Sequence, residues 1–356
     1  MHDLAIIGAG PVGSYLASLC GRRLSVRVIE KNGSAGGKAC SGLVSRRAIN
    51  LLPGKVTGSP GVIEHKVRGA IIHIMGNDIE LKKNETAAYV INRPLLDRAL
   101  AEHAASCGAD VSYGISAVSL SMSSAKATVL TNSGAVDAQA VAGCDGALSV
   151  AARWLGSRPY EVLNGVLVMT DEVESSDCVE LWFDKRLSKD GFLWRIPHGA
   201  RIEYGGMGSG LRFEAVERFF RLAGKGIIAR SAAPIPIGIV KTFGERVILV
   251  GDAACQTKPW SGGGITYGLL AAKAASEILL DCFRKGDLSV GALAAYEERW
   301  KAILMKDISA GLAIREIYKD LDASSLTSLI GKAPAVASAQ ESIDFDFPFT
   351  SLAGIL

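Results

Sequence analysis

The sequence predicts an α/β fold: a parallel sheet of the Rossmann dinucleotide-binding type, interleaved with an antiparallel β-sheet, with a helical C-terminus. Three observations predict it. The chain opens on the apolar run Leu4-Ala-Ile-Ile into Gly8-Ala-Gly10-Pro11-Val12-Gly13, and apolar residues then recur at helical spacing through Leu16, Leu19 and Cys20 before a second apolar run ends in Glu30. A strand followed by Gly-Asp returns late, at Val247–Asp252, ahead of a glycine loop and a long Ala-rich helix. Between these ends, short extended runs separated by turn residues fill 66–92 and 159–244 and carry no helical period.

Each glycine of the first motif has a task. Gly8 allows the tight turn, Gly10 lets the backbone approach a pyrophosphate, and Gly13 lets the helix pack against the strand. The helix start then offers free N–H groups and its positive dipole end to phosphates. Glu30, about 20 residues past the turn, falls where a ribose hydroxyl is bound. Residues 31–44 follow as a Gly-rich loop, Lys31-Asn-Gly-Ser-Ala-Gly-Gly-Lys38-Ala39-Cys40-Ser-Gly42-Leu, suited to close approach of backbone to a flat ligand. Cys40 is the thiol to single out in it, since a tuned thiol can donate a proton.

Residues 45–64, with their Pro and Gly, read as a linker, and 66–92 as a β-rich insertion. A helix runs from Arg93 to Ser106, with Pro94 in its first turn and Gly108 past its end; Arg93 at its start can reach a phosphate or a ring edge. Strands near 111–120 and 125–131 precede an apolar strand ending in Gly143-Cys-Asp145-Gly146, and Asp145 can bond within the turn or to a ligand, with Arg153 in reach. From 160 to 210 aromatic residues alternate along strands, notably Phe192-Leu-Trp194-Arg-Ile196-Pro197, and can wall an apolar cavity. A helix at 212–222 follows, and Pro234 and Pro236 interrupt the chain before the final βαβ-like stretch. There Asp252 faces sugar hydroxyls, and the amides of Gly263, Gly264 and Ile265 face a ring carbonyl or a phosphate. Two amphipathic helices, 289–304 and 307–320, and a mixed tail ending in Phe345-Asp-Phe-Pro-Phe349 close the chain. The expected organisation is a discontinuous dinucleotide-binding unit (1–65, 93–158 and 245–285), a β-sheet substrate unit (66–92 and 159–244) and a C-terminal helical segment (286–356).

Composition bounds the function. The chain has 356 residues and a net charge of +3, with no long basic block, so no nucleic-acid partner is expected. Charged residues are only 21% and mean hydropathy is +0.25, which suits a large core, an apolar ligand or contact with a membrane surface. The seven cysteines contain no C-x-x-C pair, so neither a metal site nor a disulfide framework is indicated. The first strand starts at once and no stretch of about 18 uncharged apolar residues occurs, so the expected location is cytoplasmic, at most peripheral to a membrane.

Together, Gly8–Gly13 with Glu30, Gly143–Gly146 with Arg153, and Gly251-Asp252 ahead of Gly262–Ile265 resemble the FAD-dependent group containing p-hydroxybenzoate hydroxylase. That resemblance implies FAD, with Gly8–Gly13 and Glu30 on its ADP half, Arg93 and Ala117 flanking it, and Asp252 and Gly263–Ile265 on the ribityl chain and ring. Within the group the chain is most similar to the geranylgeranyl reductases. Lys38-Ala39-Cys40-Ser-Gly42 resembles their Cys loop, Phe192-x-Trp194-x-Ile196-Pro197 their Y-x-W-x-F-P motif, and Gly251-Asp-Ala-Ala-Cys255 their G-D-A-A-G, with Cys255 in place of Gly. The resemblance implies saturation of isoprenoid double bonds in a lipid, as in archaeal-type membrane lipid synthesis. Alkene reduction needs hydride and a proton together in a dry site; Cys40 and Tyr204 are the candidate proton sources, and Trp194 shapes the tunnel. With one dinucleotide fingerprint, electrons come from an external donor: a ferredoxin, a deazaflavin or a reduced nicotinamide. Phe192–Pro197 also resembles the W-x-W-x-I-P of flavin halogenases, so a monooxygenase or halogenase remains the alternative, and an electron-transfer flavoprotein a further one.

Overall fold

The computed structural model describes residues 1–321 and 340–352. The chain opens with β1 (His2–Ile7), α1 (Pro11–Cys20) and β2 (Val26–Glu30). Next come β3 (Leu43–Ser45), short helices α2 (Arg46–Leu51) and α3 (Gly54–Thr57), and strands β4 (Ile63–Val67), β5 (Gly69–Ile74), β6 (Asn77–Lys82) and β7 (Ala88–Ile91). Helix α4 (Arg93–Ser106) leads to β8 (Asp110–Tyr113), β9 (Ala117–Met122), β10 (Ala127–Thr131), β11 (Gly134–Gly143) and α5 (Val150–Trp154). Strands β12 (Glu161–Thr170), β13 (Cys178–Phe183), β14 (Phe192–Pro197) and β15 (Ile202–Gly208) precede α6 (Phe213–Phe219) and β16 (Ile227–Ile237). Finally β17 (Phe243–Gly244), β18 (Val247–Leu249), α7 (Ile265–Lys285), α8 (Val290–Asp320) and the short α9 (Pro348–Leu352) complete the chain.

β1 lies at the centre of the first sheet, in the order β17-β18-β11-β1-β2-β8, with parallel pairing from β18 through to β8. It is apolar on both faces because both are covered. Leu4 and Ile6 pack under α1, α4, α7 and α8, while Ala5 and Ile7 pack under α5 and the β9–β10 hairpin. The second sheet has seven strands, β16-β12-β15-β14-β13-β5-β6. All its pairs are antiparallel except one: β13 runs parallel to β5, with Cys178 opposite Gly69. Strands β5 and β6 of the 66–92 insertion thus extend this sheet, while β7 pairs with both β3 and β4 in a small third sheet.

Three expectations need correction. The 45–64 stretch is not a bare linker but holds α2 and α3, with the Ser45 hydroxyl capping α2 through the Ala48 amide. Pro234 and Pro236 do not interrupt the chain: they sit inside β16, opposite Asn164 and Val162, and β16 is the sheet edge, where a missing N–H is tolerated. The two C-terminal helices are one continuous 31-residue helix. Residues 322–339 and 353–356 of the expected helical segment lie outside the described residues; the tail from 340 to 352 docks on the body.

Candidate functional site: two cavities that meet at the β18–α7 turn

The carboxyl ends of β1 and β2 open into a crevice of about 400 Å3. Gly8, Gly10, Pro11 and Val12 form its floor, with Glu30 and Lys31 on one side, Ala117 and Asp145 on another, and Lys38, Arg93, Asp252, Gly264 and Ile265 at its inner end. Gly8 has φ of +100°, and a Cβ on it would lie 2.6 Å from the Cys144 carbonyl oxygen. A Cβ on Gly10 would meet nothing within 4 Å, so its bare backbone faces the open crevice. Gly13 does not line the crevice; a Cβ there would fall 2.0 Å from the Gly8 carbonyl oxygen, so its task is helix-to-turn packing. The Glu30 carboxylate accepts the Ala9 amide at 2.9 Å and the Asn32 amide at 3.0 Å, which fixes it at the crevice wall.

Three predicted residues have other duties. Asp145 reaches the crevice, but its carboxylate accepts from the Val150 amide and the Ser149 hydroxyl at the start of α5, and burial pushes its pKa up. Arg153 does not reach it: exposed, it donates to the Leu148 carbonyl. Gly42 lines neither cavity; with φ of +71°, a Cβ there would lie 2.3 Å from the Ile91 carbonyl oxygen, so it is a packing glycine.

A second cavity of about 530 Å3 opens from the same inner end and shares Lys38, Arg93, Asp252, Gly264 and Ile265 with the crevice. Ala39, Cys40 and Gly263 line it near that junction. Its far wall is the seven-stranded sheet, through Leu167, Val179, Leu181, Phe192, Trp194 and Ile196. The Trp194 indole N–H donates to Glu203 at 2.9 Å, and Gly205 leaves room for the ring, since a Cβ there would sit 2.6 Å from it. Burial pushes the Glu203 carboxyl up.

Tyr204 is the predicted catalytic residue that the structure removes. Strand side chains alternate, so Glu203, Gly205 and Met207 share the cavity face of β15. Tyr204 points through the opposite face, where it packs in the cluster around α6 and donates to Glu172 at 3.0 Å.

At the junction, Lys38 is ion-paired to Asp252. Asp252 also crowds position 264, at the head of α7, where a Cβ would lie 2.3 Å from its Oδ1. Arg93 is buried and donates to both carboxylate oxygens of Asp97, at 3.1 and 3.0 Å. Burial disfavours its charge, but the Asp97 carboxylate outweighs that and holds the guanidinium protonated. The Cys40 sulfur accepts the Gly42 amide at 3.4 Å. Sequence reasoning missed Asp97, although Arg93 and Asp97 stand at i,i+4 spacing. It also missed Lys258 and the tail residues Ile343 and Phe345 of the second cavity, which no local pattern marks.

The crevice tests well for a dinucleotide: a side-chain-free glycine floor under a helix start, an acid at the ribose end, and a second, longer helix start at the inner end where a ring would lie. The fold and site therefore define a dinucleotide-binding flavoprotein with an apolar chamber beside the ring position. Residues 1–188 match the family described as FAD binding domain. A digeranylgeranylglycerophospholipid reductase of Methanosarcina mazei is 30% identical, over 92% of this chain and 87% of that protein. One from Methanothrix thermoacetophila is 29% identical, over 92% and 90%. Among solved structures, a geranylgeranyl bacteriochlorophyll reductase-like protein from Thermoplasma acidophilum superposes with a TM-score of 0.86, at 21% identity over 100% of this chain and 99% of that one. The halogenase PltM in complex with FAD gives 0.75 at 15% identity, over 98% and 88%. The chain belongs to the geranylgeranyl reductase family of FAD-binding enzymes. It is an oxidoreductase, and FAD is its cofactor.

Proposed function

We propose that this protein saturates isoprenoid double bonds of a geranylgeranyl-type lipid, in the synthesis of archaeal-type membrane lipids. The observation that carries the reading is the apolar chamber of about 530 Å3 that opens onto the flavin end of the crevice. An aromatic oxidation substrate needs polar groups to orient it; a prenyl chain needs length and dryness. The names of the relatives support the same substrate class.

Bound in the crevice, FAD supplies the two-electron reducing equivalent. The chain's own residues do the rest. Phe192 and Trp194 hold the alkene in a dry, shaped wall. Cys40, at the junction, donates the proton from Sγ, and the adjacent Arg93 cation offsets the charge left on sulfur. The seven-stranded sheet acts as the substrate unit. Electrons reach the flavin from an external donor, and the lipid is taken from a membrane surface; no helix among the described residues is long and apolar enough to cross a membrane.

The test is anaerobic. The holoenzyme, reduced with dithionite, is mixed with a digeranylgeranyl lipid. Flavin reoxidation without oxygen, with the lipid gaining about 2 Da per double bond, is the expected result. An inert lipid, with substrate-dependent oxygen uptake on an aromatic compound instead, would replace this reading with the monooxygenase one.

A further inference from the structure

The apolar chamber has one cation in its lining, and a second beside it shares the same carboxylate; the reduction chemistry above uses neither. Lys258, in the loop between β18 and α7, lines the chamber and has a side chain only 11% exposed. Its ammonium donates to Asp346 Oδ1 at 2.5 Å, and that carboxylate is 1% exposed. Arg47, on α2, is 44% exposed; it pairs with Asp344 and reaches Asp346 Oδ2 at 3.5 Å. Both anions come from the tail. Its neighbouring residues Ile343 and Phe345 line the chamber itself.

Burying an ion pair is a poor way to fasten a tail. Desolvation of two charges offsets most of their attraction, and apolar residues of similar size hold as firmly. The pattern makes sense as mimicry. The tail presents apolar side chains to the chamber and carboxylates to the two cations at its mouth. An isoprenoid with an anionic headgroup presents the same pattern. A lysine ammonium at the edge of an apolar cavity, with a guanidinium outside it, is a donor set for phosphate oxygens.

We infer that Lys258, with Arg47 beyond it, is a subsite for the phosphate or diphosphate headgroup of the substrate, and that Asp346 and Asp344 compete for the same cations. This rests on the prenyl-lipid reading above. Substrate entry then displaces the tail from the rim, and the headgroup fixes how far the chain runs toward the junction.

Calorimetric titration of the FAD-loaded full chain with geranylgeranyl diphosphate, geranylgeraniol and inorganic pyrophosphate tests it. The diphosphate should bind at least about tenfold tighter than the alcohol. Lys258→Met should remove that advantage while leaving the alcohol's affinity within about twofold, and Lys258→Arg should keep it. Asp346→Asn should tighten the diphosphate several-fold and not the alcohol. If Lys258→Met fails to hold FAD, Arg47→Ala carries the test, with a loss of about threefold or more confined to the diphosphate. Equal affinity of the wild type for diphosphate and alcohol, or equal weakening of both in the variants, overturns the subsite and leaves the prenyl reading standing. Pyrophosphate binding as tightly as the prenyl diphosphate overturns the headgroup assignment in favour of a free anion. If neither isoprenoid binds, the prenyl reading falls and this inference falls with it.

Discussion

Gly10 and Gly13 belong to one motif but answer to different forces, and substitution separates them. A methyl at Gly13 meets a backbone carbonyl oxygen at 2.0 Å, which no rotamer change relieves. Gly13→Ala should cost about 1–3 kcal/mol of stability, read by denaturant unfolding of the FAD-free protein. A methyl at Gly10 meets nothing, so Gly10→Ala should keep that stability and weaken FAD binding by about tenfold or more, because its bare backbone faces the crevice. Cys40→Ser should keep FAD and slow alkene reduction by at least about tenfold; unchanged turnover removes Cys40 from the mechanism. The glycine motif was legible because its spacing encodes backbone geometry directly. Gly42 and Tyr204 misled for opposite reasons. Gly42 sits in a loop whose flavin-facing neighbours made it look like a cofactor contact, and its left-handed φ shows only in three dimensions. Tyr204 depends on the pleat, and a single residue's register decides which face it takes. Cys255 holds a left-handed φ of +53°, a conformation that favours glycine.

Among elements, α8 shows where pattern reading stops. The expected second helix, 307–320, begins at Asp307. Asp307 is instead a buried residue in mid-helix whose Oδ1 accepts the Phe349 and Thr350 amides at 3.0 and 3.2 Å. Its partners lie about 40 residues away in the tail, beyond any local window. Asp307→Ala should leave α8 helical and strand two amide donors, at about 1–3 kcal/mol. Limited proteolysis should then cut the tail faster, with helical circular dichroism unchanged; an unchanged cutting rate would show that the tail is held elsewhere. The prolines of β16 follow the same logic. Proline reads as a breaker until the strand is known to be an edge.

At the scale of the whole molecule, burial of titratable groups sets the pH limits of the fold. Cys20 in α1 and Cys255 after β18 are pushed by desolvation from about 9 to about 12. Below about pH 9 these thiols are protonated in both folded and unfolded chains. Between about 9 and 12 the unfolded chain loses their protons first, so stability falls as pH rises. The buried Tyr267 and Tyr296 phenols are raised by the same cause and act in the same direction. The unfolding free energy in urea should therefore decline from pH 8 to 10.5, and iodoacetamide at pH 8 should modify Cys40 before either buried thiol. Equal labelling of the three would mean that this core opens readily.

The two cavities also divide the labour of the chain, and that division is the property most open to test. The first sheet's strand ends and glycine turns form the crevice, and the seven-stranded sheet walls the apolar chamber. Among the described residues, only the five at the junction line both. Trp194 reaches the chamber through a hydrogen bond within its own sheet, to Glu203. Trp194→Ala should therefore leave the FAD dissociation constant within about twofold while degrading kcat/KM for the lipid by about tenfold or more. Gly10→Ala should do the reverse: with FAD in saturating excess, kcat should return to that of the wild type. Asp252→Asn, at the junction, breaks the Lys38 pair and should impair both FAD affinity and turnover. If Trp194→Ala weakened FAD binding as much as Gly10→Ala does, the two sheets would have to be coupled through more than the junction, and the chamber could no longer be treated as a separable substrate unit.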